Sequence, residues 1–189
     1  MGLLVMVCFC CMEERIVIVD EHNSPIGDEK KSVVHREGIW HRTVHIYYIR
    51  KRSGGFDFLV HLRAKNKTHC PNMWDTRFGG HVKSTQSILE AAQDKMREEV
   101  GLTMEPSELI EGPVTRSVSH QGTNREFNYI FFYQGTEDTR QLVFEDDEVQ
   151  EVKWMSDKEI ACSIENEPDV WAGSLETFQN VLASARLLC

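Results

Sequence analysis

Short runs rich in Val, Ile, Tyr and Phe recur along the chain and set its first reading. Ile16 to Val19, Thr43 to Ile49, Phe56 to Leu62, Val114 to Val118, Glu126 to Tyr133 and Val149 to Trp154 have the length and residue types of strands. Asn23-Ser24-Pro25 is a turn joining the first run to another extended segment, and Ser53-Gly54-Gly55, between the second and third runs, predicts a hairpin. A polar loop from Ala64 to Asn72 follows, and then Trp74 to Val82, which carries Gly79-Gly80.

At Ser87 the period changes. Leu89, Ala92, Met96 and Val100 recur at helical spacing, with Glu90, Asp94 and Glu98 on the other side. Ser87 and Glu90 form a capping box at the start, and Gly101 stands where the helix should end. A second helix is predicted from Leu175 to Leu187. Strands mixed with two helices predict an α/β (α+β) fold, a mixed β-sheet sandwiched between α-helices. No repeat and no Pro/Gly/Ser linker divides the chain, so residues 12–189 read as a single domain behind an apolar extension at 1–11.

Charge then restricts the ligand. The 21 Lys and Arg stand against 30 Asp and Glu, a formal net charge of -9. Such a field repels polyanions, so no nucleic-acid partner is expected, and a phosphate ligand needs a local basic patch. The six cysteines, at 8, 10, 11, 70, 162 and 189, do not suggest a disulfide framework and fit a reducing, cytoplasmic compartment. The apolar start is too short to span a bilayer and lacks the basic flank and cleavage site of a secretory signal. No membrane span is expected, and Cys8, Cys10 and Cys11 are left as sites open to acylation.

The stretch from Gly80 to Leu102, GHVKSTQSILEAAQDKMREEVGL, combines a glycine loop, an amphipathic helix with paired carboxylates and a terminal glycine. An acidic pair alone is ordinarily a solvated helix face. In this frame it resembles the Nudix box, G-x5-E-x7-R-E-U-x-E-E-x-G-U with U apolar. Gly80, Met96, Glu98, Glu99, Gly101 and Leu102 match, whereas Gln86 replaces the first Glu, Asp94 the Arg and Lys95 the Glu beside it. The resemblance implies the Nudix fold and a divalent metal, Mg2+ or Mn2+, on Glu98 and Glu99. Lys95, four residues before Glu99, is placed to form an ion pair with it and to compete with a cation.

The segment from Leu59 to Trp74, LVHLRAKNKTHCPNMW, resembles the one preceding the box in isopentenyl diphosphate isomerases, where the residues matching Arg63 and Lys67 hold the diphosphate. Two cations four apart at a strand end can converge on two phosphates. The run VHREGIWHRTVH from Val34 to His45 resembles the same branch, which binds a metal through two N-terminal histidines, the His of Gly-His and carboxylates of a later strand. His41 and His81 correspond directly, Glu126 lies in the carboxylate strand, and His35 falls one position from the other histidine. His45 reads as a histidine satisfied within the core.

The isomerases carry a cysteine just before Gly-His; this chain has Gly79 there, and Cys70 is nine residues upstream. Isomerisation therefore loses its proton carrier, and Gly79 and Gly80 are expected to open room for a different substrate. Glu148, in the run EDDEVQEVKW, resembles a late acidic segment that approaches the metals and is a candidate base, although Glu145 to Glu148 also reads as a solvated loop. The expectation is a metal-dependent pyrophosphohydrolase with catalytic residues Glu98, Glu99 and Glu148, acting on a small molecule that contains a diphosphate. A non-catalytic diphosphate binder and isomerase-like chemistry are the alternatives.

Overall fold

The computed structural model describes residues 13–119, 122–135, 138–139, 142 and 148–189 of the protein. The expected extension at 1–11, with Cys8, Cys10 and Cys11, lies outside them, as does Glu145.

Among the described residues nine strands hydrogen-bond into one mixed sheet. They are β1 (Arg15–Val19), β2 (Pro25–Lys30), β3 (Trp40–Arg52), β4 (Gly55–Arg63), β5 (Trp74–Asp75), β6 (Phe78–His81), β7 (Leu109–Ser119), β8 (Asn124–Gln134) and β9 (Val149–Ser156). Four helices accompany them: α1 (Lys31–Glu37), α2 (Ile88–Val100), α3 (Asp157–Asn166) and α4 (Leu175–Leu188).

The long β3 organises the sheet. It runs parallel to β8 from Trp40↔Arg125 to Ile49↔Gln134, so that His41 stands opposite Glu126. Its other edge pairs in turn with β1, with β6, where Thr43 meets His81, and with β4 through the predicted hairpin.

Strand side chains alternate between faces, and β3 uses both. Val44, Ile46 and Tyr48 point into a core with Phe78, Met96 and Val100, where α2 packs; Tyr47 and Ile49 point into another with Phe132, Ile160 and Phe178, where α3 and α4 pack. The sheet is thus sandwiched between helices, as the pattern predicts. Upstream of Tyr47 the second face turns polar, with His41, Thr43 and His45 in its row. The site is built at that end.

Helix α2 forms for the reasons legible in the chain. Ser87 and Glu90 exchange the capping-box bonds, and Gly101 closes the helix at φ 75° with its N–H on Arg97 O and Met96 O. The polar side is not uniform, because Glu99 is buried with Ala92, Met96 and Val100.

Helices α1 and α3 were not expected. α1 has no capping side chain of its own; Glu13 Oε1, far upstream, accepts from Ser32 N at 3.0 Å, and Gly38 ends it at φ 65°. Its last turn carries His35. α3 opens with a capping box of Ser156 and Glu159 and buries Ile160 and Ile164. The segment from Trp74 to Val82 holds two short strands, β5 and β6, separated by Thr76 and Arg77.

Candidate active site

A cavity of about 890 Å3 opens between α1, the ends of β3, β6 and β8, the loop after β4 and helix α2. His35, His81 and Glu126 line one part of it, Arg63, Lys67 and Glu148 another, and Lys95 and Glu99 reach it from α2.

The histidines converge. One ring nitrogen from each of His35, His41 and His81 lies within 4.8 Å of the others. His35 Nε2 and His81 Nε2 are 3.0 Å apart, and His41 Nε2 is 3.6 Å from Glu126 Oε1. α1, β3, β6 and β8 each supply one side chain, and the His41↔Glu126 register fixes the pair.

Burial holds His35 below the ordinary imidazole range, and burial with neighbouring cationic groups holds His81 well below it. Burial opposes the charge of Glu126 as well, but His41 and a 2.9 Å hydrogen bond from Asn124 Nδ2 hold its carboxyl far below the usual range. The result is two imidazoles, His35 and His81, that resist protonation beside an anionic carboxylate.

His41 tests whether a cation fits. Its Nδ1 is 2.9 Å from the carbonyl of Ile39, which only accepts, so Nδ1 carries a proton and Nε2 is left for a second proton or for a cation. That Nε2 is fully buried, has no hydrogen-bond partner among the described residues, and points toward an anionic carboxylate. A positive charge belongs between them, either a proton on the ring or a cation that His35 and His81 also reach. The donor set fits a divalent ion.

The box carboxylates are separated instead. Lys95 Nζ donates to Glu98 Oε2 at 2.6 Å, and Lys83 Nζ is 3.9 Å from Glu98 Oε1. The ion pair expected between Lys95 and Glu99 is therefore made with Glu98, one turn away, and Glu98 is not among the cavity-lining residues.

Glu99 does line the cavity. Its Oε2 accepts from Gly79 N at 3.2 Å, and burial pushes its pKa up to about 8 against the pull of Lys95. The expectation that this carboxylate sits on a solvated polar face is thus corrected. Lys95 remains charged: burial opposes its ammonium, but the Glu98 hydrogen bond and the charges of Glu99 and Glu148 outweigh it and raise its pKa.

The other box departures form a unit. Gln86 Nε2 donates to Asp94 Oδ2 at 2.5 Å, so a neutral donor and an acidic acceptor stand where the box has Glu and Arg.

Arg63 Nε and Nη2 donate to the carbonyls of Cys70 and His69 at 3.2 and 3.0 Å, which straps the loop to the end of β4. Lys67 is ion-paired with Glu148. Burial works against Glu148, but Lys67 lowers its pKa, so both cations and the candidate base share one corner of the cavity.

Gly79 does not open room as expected. A Cβ there would lie 2.0 Å from the carbonyl oxygen of Val44, so its missing side chain makes way for β3. At Gly80 a Cβ would meet Lys95 Cε at 2.8 Å, so this glycine makes way for the lysine stem. Cys70 is absent from the lining among the described residues.

His45 lines the cavity too, with its pKa lowered to about 3 by burial. Among the lining residues left without a role by the sequence reading are His61, Asp75 and Arg77. The first two face each other across β4 and β5, a pairing that strand alternation alone does not reveal.

With this geometry in hand, comparison with known proteins is informative. The NUDIX domain model matches residues 39–180. The chain belongs to the Nudix superfamily. An uncharacterized Nudix hydrolase of Clostridium acetobutylicum is 33% identical over 160 residues, covering 83% of this chain and 77% of that one. Isopentenyl-diphosphate Delta-isomerase 2 of Aromatoleum aromaticum is 25% identical over 177 residues, covering 94% and 90%. These relatives set it on the isomerase-like branch of the superfamily.

Solved structures share the fold. A Deinococcus radiodurans protein superposes with a TM-score of 0.67 at 20% identity, covering 88% of this chain and 98% of that one. The NUDIX domain of Shewanella oneidensis NrtR, crystallised with ADP ribose, gives 0.57 at 12% identity, covering 78% and 87%. Among the described residues no helix is long and apolar enough to cross a membrane.

Proposed function

We propose that this Nudix protein is a divalent-metal-dependent hydrolase of a small molecule containing a diphosphate. The observation that carries the reading is His41 Nε2, buried without a hydrogen-bond partner among the described residues and aimed at Glu126 beside His35 and His81. Three imidazoles and one carboxylate suit Mn2+ or Zn2+ better than Mg2+, which prefers an all-oxygen shell. A divalent ion held there supplies Lewis acidity toward phosphoryl oxygens.

The chain's own groups do the rest. Arg63 and Lys67 line the cavity as the basic patch that a net acidic protein needs to hold phosphates. Glu99, with its pKa near 8, takes or gives a proton close to neutral pH. Glu148, beside Lys67, exchanges its ion pair for a proton from the attacking water once phosphate engages the lysine.

Product release from nucleoside diphosphates, ADP-ribose, dinucleotides and prenyl diphosphates, with Mn2+, Mg2+ or Zn2+ added to stripped protein, tests this reading. Metal-dependent cleavage of one class is expected, and its absence for all of them sinks the hydrolase. A second reading, diphosphate binding without turnover, is favoured by the Lys95–Glu98 ion pair of 2.6 Å, which occupies one box carboxylate. Thermal shifts with the same compounds and no cleavage would establish it. Isomerase activity is not expected, because no cysteine lines the cavity among the described residues.

A further inference from the structure

Beside the diphosphate cations, the floor of the cavity holds a group of charges that the proposed function leaves unused. Asp75 is buried, with only 3% of its surface exposed, and its Oδ2 has no hydrogen-bond partner among the described residues. Two guanidinium groups flank that oxygen at ion-pair distance, Arg77 Nε at 3.4 Å and Arg63 Nη1 at 3.6 Å. The other carboxylate oxygen, Oδ1, accepts from Arg77 N at 3.2 Å, which pins Asp75 to the turn between β5 and β6.

His61 stands opposite Asp75 in the β4–β5 ladder, and its Nδ1 is likewise buried without a partner among the described residues. Burial pushes its pKa down to about 4, so the ring is neutral near pH 7. Around Asp75 itself two guanidinium groups share one carboxylate, and the charge of Glu126 also acts on Arg77. A guanidinium that shares its carboxylate in this way still favours a further anion.

Arg77 is the group with capacity to spare. Its Nε faces Asp75, a third of its side chain is open, and it lines the cavity together with Arg63 and His61. Arg63 already spends Nε and Nη2 on the loop carbonyls. A guanidinium held by a carboxylate through one edge offers the other edge for a bidentate grip on an oxyanion. The free edge of Arg77 and the His61 ring line the same cavity as Arg63 and Lys67, so an oxyanion gripped there lies in one cavity with the diphosphate.

We infer that His61, Asp75 and Arg77, sharing Arg63 with the diphosphate site, form a subsite for a third phosphate, so that the ligand carries a chain of triphosphate length. Arg77 and His61 contact that phosphate, and Asp75 acts as a positioning residue that orients both guanidinium groups. The inference rests on the diphosphate reading, because the third phosphate is reached only as an extension of the first two.

Titration calorimetry of the protein as purified, with inorganic diphosphate and with tripolyphosphate, tests it. In Arg77→Gln tripolyphosphate binding should weaken by about tenfold or more while diphosphate stays within about twofold, since one charged hydrogen-bonding group has been lost from one subsite only. Equal weakening of both ligands, or of neither, overturns the subsite and leaves the diphosphate site standing. A wild-type protein that binds neither ligand overturns both. Should Arg77→Gln fail to fold by circular dichroism, His61→Gln, which leaves the ion pairs intact, decides by the same selective loss. Asp75→Asn should show the same selectivity more weakly, and Arg77→Lys should recover part of the tripolyphosphate affinity.

Discussion

Lys95 and Glu98 close on each other along α2, with the ammonium nitrogen 2.6 Å from Oε2, while the next carboxylate, Glu99, turns inward to Gly79. The box pair is thereby divided between a tied group outside the cavity lining and a buried group within it. Lys95→Glu releases Glu98 and adds a carboxylate at the mouth of the cavity. Mg2+-dependent turnover is expected to rise in this variant; a fall would show that the ammonium itself grips the substrate, which product-release assays on both proteins resolve.

Glu99 has a characteristic pH signature. Its folded pKa of about 8 stands above the ordinary 4.5 because burial disfavours the charge. Below pH 4.5 folded and unfolded chains both keep the proton. Between 4.5 and about 8 the unfolded chain has released it and the folded chain has not, so stability falls as pH rises through that window. At about 1.4 kcal/mol per pKa unit the ceiling is roughly 5 kcal/mol. Glu99→Gln removes the titration, so its melting temperature relative to the wild type should climb from pH 5 to pH 8 in metal-free buffer. A constant difference would place the carboxylate in water. His45 and His61, whose pKa values are lowered, act with the opposite sign below pH 6.5 and cancel in the comparison because both proteins carry them.

At the proposed site, metal loading is expected to need Glu126 and His41 together. Glu126→Gln and His41→Ala are each expected to weaken Mn2+ or Zn2+ binding by at least about tenfold and to abolish the thermal stabilisation the ion gives the wild type. Elemental analysis after dialysis against chelator and reloading measures this without reference to activity. Full occupancy in both variants would move the ion elsewhere.

The two adjacent glycines respond differently. Gly79→Ala drives a Cβ to 2.0 Å from a backbone carbonyl that cannot move freely, and a loss of about 3 kcal/mol in urea denaturation is expected. Gly80→Ala meets only the flexible end of Lys95, at 2.8 Å, and should stay within about 1 kcal/mol. Gly79→Cys restores the residue type of the isomerases but suffers the same collision, so no isomerisation of isopentenyl diphosphate should appear by NMR.

The sheet, the hairpin and α2 were legible because period and punctuation agreed, as in Ser87, Glu90 and Gly101. Helix α1 was not, since its seven residues include a Val pair and its capping carboxylate comes from Glu13. Helix α3 carried a readable signal in Ser156 and Glu159 that the strand run before it obscured.

At the site, motif resemblance located residues that the structure brings together in one cavity, including His35, one position out of frame. It could not orient them. Glu99 follows Ala92 and Met96 at spacings of seven and three, the packed face of α2, and that spacing outweighs its charge. Arg77 belonged to no motif, His61 stood in the Leu59 to Trp74 segment without a role, and only the pairing of β4 with β5 brings His61 to Asp75.

The parallel β3–β8 ladder sets His41 against Glu126, although the two are far apart in the chain. A slip of one residue would turn one of them to the opposite face. An ion can therefore be gripped only after these distant segments have locked in step. On the proposed reading, an ion held by His41 and Glu126 would mark a molecule whose β3–β8 register is correct.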